Sequence, residues 1–142
     1  MPKGPDPRIE TAPLADVPRL MREGAEQFNA AHFWHAHEAW ESAWQTLRKH
    51  DAGTAAEFVH GLILVAAALE NATRGKEAGF KRQFAEGLFL MRTDQEAAAR
   101  VGFPWKLLDA LALFYIDACR RLDWGAWNAS GWRAPTVEFS DG

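Results

Sequence analysis

Residues 55–69 read Ala55-Ala56-Glu57-Phe58-Val59-His60-Gly61-Leu62-Ile63-Leu64-Val65-Ala66-Ala67-Ala68-Leu69. No period-2 alternation interrupts the run, and its apolar residues fall on nearly every side of a helical wheel. A helix that is apolar all round belongs at the centre of a bundle, where neighbours cover each face. The spacing predicts a helix from about Ala55 to Arg74, with Gly75 as its natural C-terminal stop. The continuous apolar stretch Leu62–Leu69 is far shorter than the roughly 20 residues that cross a bilayer, so a membrane span is not expected. One polar stripe breaks the helix: Glu57, His60, Leu64, Ala67 and Asn71 share a narrow arc.

The flanking sequence supplies the covering helices. Val17, Leu20, Met21, Gly24, Ala25 and Phe28 recur at i, i+3, i+4, i+7 spacing, with Asp16 as the expected N-cap and Asn29 as the expected left-handed end. A second helix is expected from about Ala31 to Leu47, with Phe33, Trp40, Trp44 and Leu47 on its apolar face. Asp51–Thr54 reads as a loop, and Thr54 with Glu57 has the spacing of a capping box. A fourth helix starts near Lys76 and repeats Phe80, Phe84, Leu88 and Met91; its end falls near Thr93 or near Arg100. Gly102-Phe103-Pro104 punctuates the chain, with Pro104 expected in the first turn of a fifth helix that uses Leu107, Leu108, Leu111, Phe114, Tyr115 and Ala118.

The fold class that follows is all-α: a compact single-domain bundle of about five helices. Residues 1–13 hold four of the seven prolines and read as an extended lead-in. Residues 14–122 form the helical domain. Residues 123–142 read as an irregular tail whose Trp124, Trp127 and Trp132 lie across the bundle, with Thr136–Phe139 extended. A 142-residue chain can bury enough surface to fold without a metal or disulfide staple.

Composition narrows the function classes. Lys plus Arg is 16 against 19 Asp plus Glu, for a formal net charge of −3, and no basic run exceeds two residues. A nucleic-acid partner is therefore not expected. Cys119 is the lone cysteine, at an apolar helical position, and reads as a small buried hydrophobe. The N-terminal residues show no basic start followed by an apolar run, so the expected location is the cytoplasm. The chain has neither a glycine-rich phosphate loop nor a Gly-x-Ser-x-Gly elbow.

The chemistry lies in the second helix, His37-Glu38-Ala39-Trp40-Glu41-Ser42-Ala43-Trp44. With His37 set at zero and about 100° per residue, Glu41 falls near 40°, Trp44 near −20°, Phe33 near −40° and Trp40 near −60°. Two ionisable residues thus share the stripe expected to face the core, the kind of local conflict that marks a functional site or a satisfied buried network. Glu38 falls on the flank. His35 lies opposite and, like His50, reads as a surface residue. At i, i+4 spacing His37 and Glu41 can share a hydrogen bond or converge on one divalent cation. A metal would need a third protein ligand, and His60 on the polar stripe of the third helix is the best placed. The His-Glu-x-x-His zinc signature is not met, because Glu41 stands where its second histidine would be.

The segment Phe28-Asn29, His37-x-x-x-Glu41-x-x-Trp44, Gly61-Leu62-Ile63, Ala66-Ala67-Ala68-Leu69, Gly75 and Gly79 resembles the domain of unknown function 309 family over roughly residues 17–122. The resemblance implies a compact all-helical fold. It also places His37, Glu41 and Trp44 on the family motif, for which metal binding has been proposed. It brings no established reaction. Where relatives commonly carry Gln before Gly61, this chain has His60.

Three functional readings remain open. The first is a binding or interaction module with a polar pocket at His37, Glu41 and Trp44, flanked by Trp40, Glu57 and Asn71, whose partner would be a small molecule or a second copy. The second is a metal-dependent hydrolase-like enzyme, with His37, Glu41 and His60 as ligands and Glu38 as general base. The third is a structural or oligomerisation protein in which His37–Glu41 is a buried hydrogen bond.

Overall fold

The computed structural model describes residues 10–50, 53–120 and 134–139. Among them are a 3-10 turn at Leu14–Asp16 and six α-helices: α1 (Val17–Asn29), α2 (Phe33–Lys49), α3 (Gly53–Thr73), α4 (Glu77–Met91), α5 (Gln95–Arg100) and α6 (Lys106–Arg120). No β-strand occurs among the described residues.

The apolar run 55–69 sits where its pattern requires. The backbone of α3 packs against α2 on one flank and α4 on another; α1 lies against α2, α6 against α4, and α5 touches α3. By length and composition α3 could cross a membrane, yet Val59, Leu62, Val65, Ala66, Ala68 and Leu69 are all fully buried in the bundle. The α3–α4 crossing depends on a pair of glycines. A Cβ on Gly61 would come within 2.7 Å of the Gly87 carbonyl oxygen, and one on Gly87 within 2.6 Å of the Gly61 carbonyl oxygen. Gly75 ends the turn after α3 with φ 71°, where a side chain would be strained.

At several helix ends the local signals are met by residues other than those expected. Asp16 makes no side-chain cap; its carboxylate instead approaches Arg19 at 3.3 Å, and Pro18 supplies a preset φ in the first turn of α1. The left-handed residue after α1 is Ala31, φ 62°, not Asn29. The Asn29 side chain is engaged with the C-terminal segment, where its Nδ2 donates to the Val137 carbonyl and its Oδ1 accepts from the Val137 N–H, both at 2.8 Å. Thr54 lies inside α3 rather than capping it. The fourth apolar pattern splits in two. Thr93 Oγ1 donates to the Leu90 carbonyl at 2.8 Å, and the Asp94 carboxylate caps α5 through the Glu96 N–H at 2.9 Å. The described residues therefore form six helices where the pattern suggested about five. Pro104 precedes α6, and its carbonyl accepts from the Leu107 N–H at 2.9 Å.

Residues 134–139 are non-helical and bury Val137. Phe139 packs on Trp40 and Phe103. The expectations for Trp124, Trp127 and Trp132, and for most of the lead-in, concern residues outside those described. Cys119 is only half-buried and neighbours Tyr115. Burial pushes the Tyr115 phenol up to about 12, with Cys119 adding to the shift, and its O–H donates to the Lys81 carbonyl at 3.0 Å. That bond, with the Phe84–Tyr115 ring stack at 5.1 Å, fixes which side of α6 faces α4.

Candidate functional site

The buried residues of α2 are Phe33, Ala36, Trp40, Ala43, Thr46 and Leu47. Their mean direction lies about 80–100° round the helix from His37. The aromatics alone would centre the stripe nearer His37. The alanines Ala36 and Ala43, both fully buried, show where α2 packs most closely, because small side chains let helices approach. His37 and Glu41 consequently stand on the shoulder of the core stripe, against α3 and near α4, and not at its centre.

That shoulder is concave. An open cleft of about 240 Å³ is lined by His37, Glu41 and Trp44 of α2, by His60, Ile63, Leu64 and Ala67 of α3, and by Gln83 of α4. Its volume corresponds to roughly eight water molecules. The His37 side chain is 21% exposed and that of Glu41 is 43% exposed. His37 Nδ1 and Glu41 Oε2 are 3.6 Å apart, which is too long for a hydrogen bond. The Nδ1 atom is itself buried and has no hydrogen-bond partner among the described residues. Trp34, three residues earlier and exposed, stacks on the His37 ring at 5.0 Å and 5°, so the imidazole is held in orientation without its nitrogen being satisfied. The Trp44 ring packs against His60 at 5.5 Å, and the Arg48 guanidinium stands 4.7 Å from the Trp44 ring centroid.

The structure brings together His37, Glu41, Trp44 and His60 but not the rest of the expected set. Trp40 is fully buried on the α1 side, where its indole N–H donates to the Met21 carbonyl at 3.1 Å. A Cβ on Gly24 would overlap its ring. Glu57 is solvent-exposed at the start of α3 and does not line the cleft. Glu38 is 60% exposed and lies 3.7 Å from His35, and it is not among the residues that line the cleft. Asn71 acts from behind: its Nδ2 donates to Gln83 Oε1 at 2.6 Å and so positions a lining residue. Gly79 leaves the space that this needs, since a Cβ there would lie 2.7 Å from Asn71 Nδ2.

The expected three-ligand metal set does not assemble. Among the described residues no three His, Cys, Asp or Glu side chains are grouped so as to hold a metal ion. The His60 ring lines the same cleft as His37 and Glu41 and packs against the Trp44 indole.

Sequence reasoning missed two contributors. Gln83, three residues after Phe80, is a polar residue on the flank of the α4 stripe. Trp34 is one turn before His37 and so is bound to neighbour it. Both positions are readable from spacing.

Residues 21–83 match the family model of the domain of unknown function DUF309. Every residue lining the cleft falls within that segment, whereas α5 and α6 lie beyond it. Comparison with curated proteins and with solved structures gives no match.

Proposed function

We propose that the protein is a small-molecule-binding module whose ligand occupies the α2–α3–α4 cleft. The observation that carries this reading is the buried, unpartnered Nδ1 of His37 beside an open cleft. An unsatisfied buried nitrogen costs about 1–3 kcal/mol. Since Nδ1 itself is closed to solvent, a ligand recovers that energy through a turn of the His37 ring, whose side chain is 21% exposed. A structural His37–Glu41 hydrogen bond would have closed the pair, and the 3.6 Å gap weighs against it.

The lining also limits the ligand. With histidines counted neutral, Glu41 contributes its one formal charge, and no lysine or arginine lines it. Ile63, Leu64 and Ala67 supply an apolar floor. The cleft suits a compact molecule with an N–H donor for Glu41 and a small apolar body, such as an amine or primary amide, and disfavours carboxylates. At about 240 Å³ it lies below the usual range of drug-sized pockets. The hydrolase reading has less support, because no three ligating side chains among the described residues are grouped to hold a metal ion and Glu38 does not line the cleft.

Histidine side-chain NMR, run while small amines, primary amides and carboxylates are titrated separately, tests the proposal. The expected result is movement of the His37 and His60 ring resonances with amines or amides, abolished by Glu41→Gln, and none with carboxylates. If no probe moves either imidazole at millimolar concentration, the binding reading fails.

A further inference from the structure

The surface of α6 carries a second feature, outside the segment that holds the cleft. Tyr115 and Phe114 turn inward to α4, where Phe114 meets Phe84. The opposite face presents Asp109, Leu113, Ile116 and Arg120, spaced by four, three and four residues. At about 100° per residue these positions fall within a 60° arc, and the spacing is that of a heptad seam. All four are exposed: the Asp109 side chain is 83% accessible, Leu113 is 68% and Ile116 47% accessible, and Arg120 is also exposed. They form an apolar centre with an acid at the N-terminal end and a base at the C-terminal end.

We infer that this face is a homodimer seam, in which α6 of one copy packs antiparallel against α6 of a second. An antiparallel pair centred between Phe114 and Tyr115 sets Leu113 opposite Ile116 of the second copy. The same register sets Asp109 opposite Arg120 of the second copy, and by symmetry Arg120 opposite Asp109. One two-fold axis therefore satisfies the apolar pair and both ion pairs, as an isologous interface requires. A parallel arrangement would place Asp109 on Asp109 and Arg120 on Arg120, so charge selects the orientation. Charge complementarity of the stripe with itself is what favours a second copy over an unrelated partner. Within one chain Asp109 is approached by Arg92 at 3.7 Å, an exposed pair that costs little to give up. With only two apolar side chains per copy, the seam is short and the association weak and concentration-dependent.

Sedimentation equilibrium of the full chain, from roughly 10 μM to 1 mM to bracket weak affinities, tests the inference. Wild-type protein is expected to pass from monomer towards dimer over that range. Leu113→Glu is expected to be monomeric throughout, with an unchanged helical circular-dichroism spectrum because the site is exposed. Asp109→Arg and Arg120→Asp should each weaken the dimer at least about five-fold, and the double swap should restore it, since the charges again match. A wild-type chain that stays monomeric at about 1 mM overturns the proposal. So does a dimer indifferent to Leu113→Glu, or a double swap no tighter than the weaker single variant. A partner of another kind on this face would give the first of these results.

Discussion

Trp40 and Trp44 lie one turn apart on α2 and have opposite surroundings. Trp40 is sealed: its N–H is bonded to the Met21 carbonyl, its ring packs on Phe28 at 5.6 Å, and Gly24 provides the space it fills. Trp44 is half-exposed beside an open cleft, with His60 and Arg48 as neighbours. On the Trp40 side the indole N–H has an intramolecular answer, and the side chain can be understood without any second molecule. On the Trp44 side a buried nitrogen has no partner among the described residues, and an ionisable pair stands slightly apart. The contrast separates residues that hold the bundle together from residues that leave it with unfilled bonding capacity.

The sharpest way to break this contrast is to truncate both tryptophans. Trp40→Ala removes a large, fully buried ring and leaves an unanswered space between α1 and α2, so a loss of about 3–5 kcal/mol is expected. Trp44→Ala opens an existing cleft and should cost about 1 kcal/mol, since less area is removed from contact. Urea unfolding of both variants measures the difference. Equal losses would mean that the Trp44 side is as structural as the Trp40 side, and the functional reading of the cleft would lose its basis.

The same contrast explains what the sequence discloses. The centre of the bundle is legible because the apolar run of α3 admits no other placement. That His37, Glu41 and Trp44 share one face of α2 is legible because i, i+4 and i, i+7 spacings bring residues together. The direction of the α2 core stripe is not. Counting aromatics pulls the estimate towards Trp44, while the closest packing is set by Ala36 and Ala43, whose small side chains give weak signals. Glu57 shares the His60 arc but lies at the solvent end of α3, and an arc on a wheel says nothing of height along the axis. Asn71 illustrates a further limit. Its role runs through Gln83 on a different helix, and only the α3–α4 crossing brings the two together.

The smallest expected effect is also the most discriminating. His37→Phe keeps a flat ring for Trp34 to stack on and deletes the unpartnered nitrogen. Removing a buried polar atom that has no partner relieves a cost and breaks no bond, so stability should be unchanged or higher by up to about 1 kcal/mol. If His37 and Glu41 were instead a buried hydrogen bond that ties the bundle together, the same variant would strand the carboxylate and lose about 1–3 kcal/mol. The two outcomes differ in sign, and thermal or urea unfolding at neutral pH separates them. Glu41→Gln, measured alongside, should be near neutral, because the Glu41 side chain is 43% exposed and already too far from His37 to bond it. A loss in both variants that is smaller in the double mutant than the sum of the singles would reveal coupling between them, and would return the pair from the binding cleft to the scaffold.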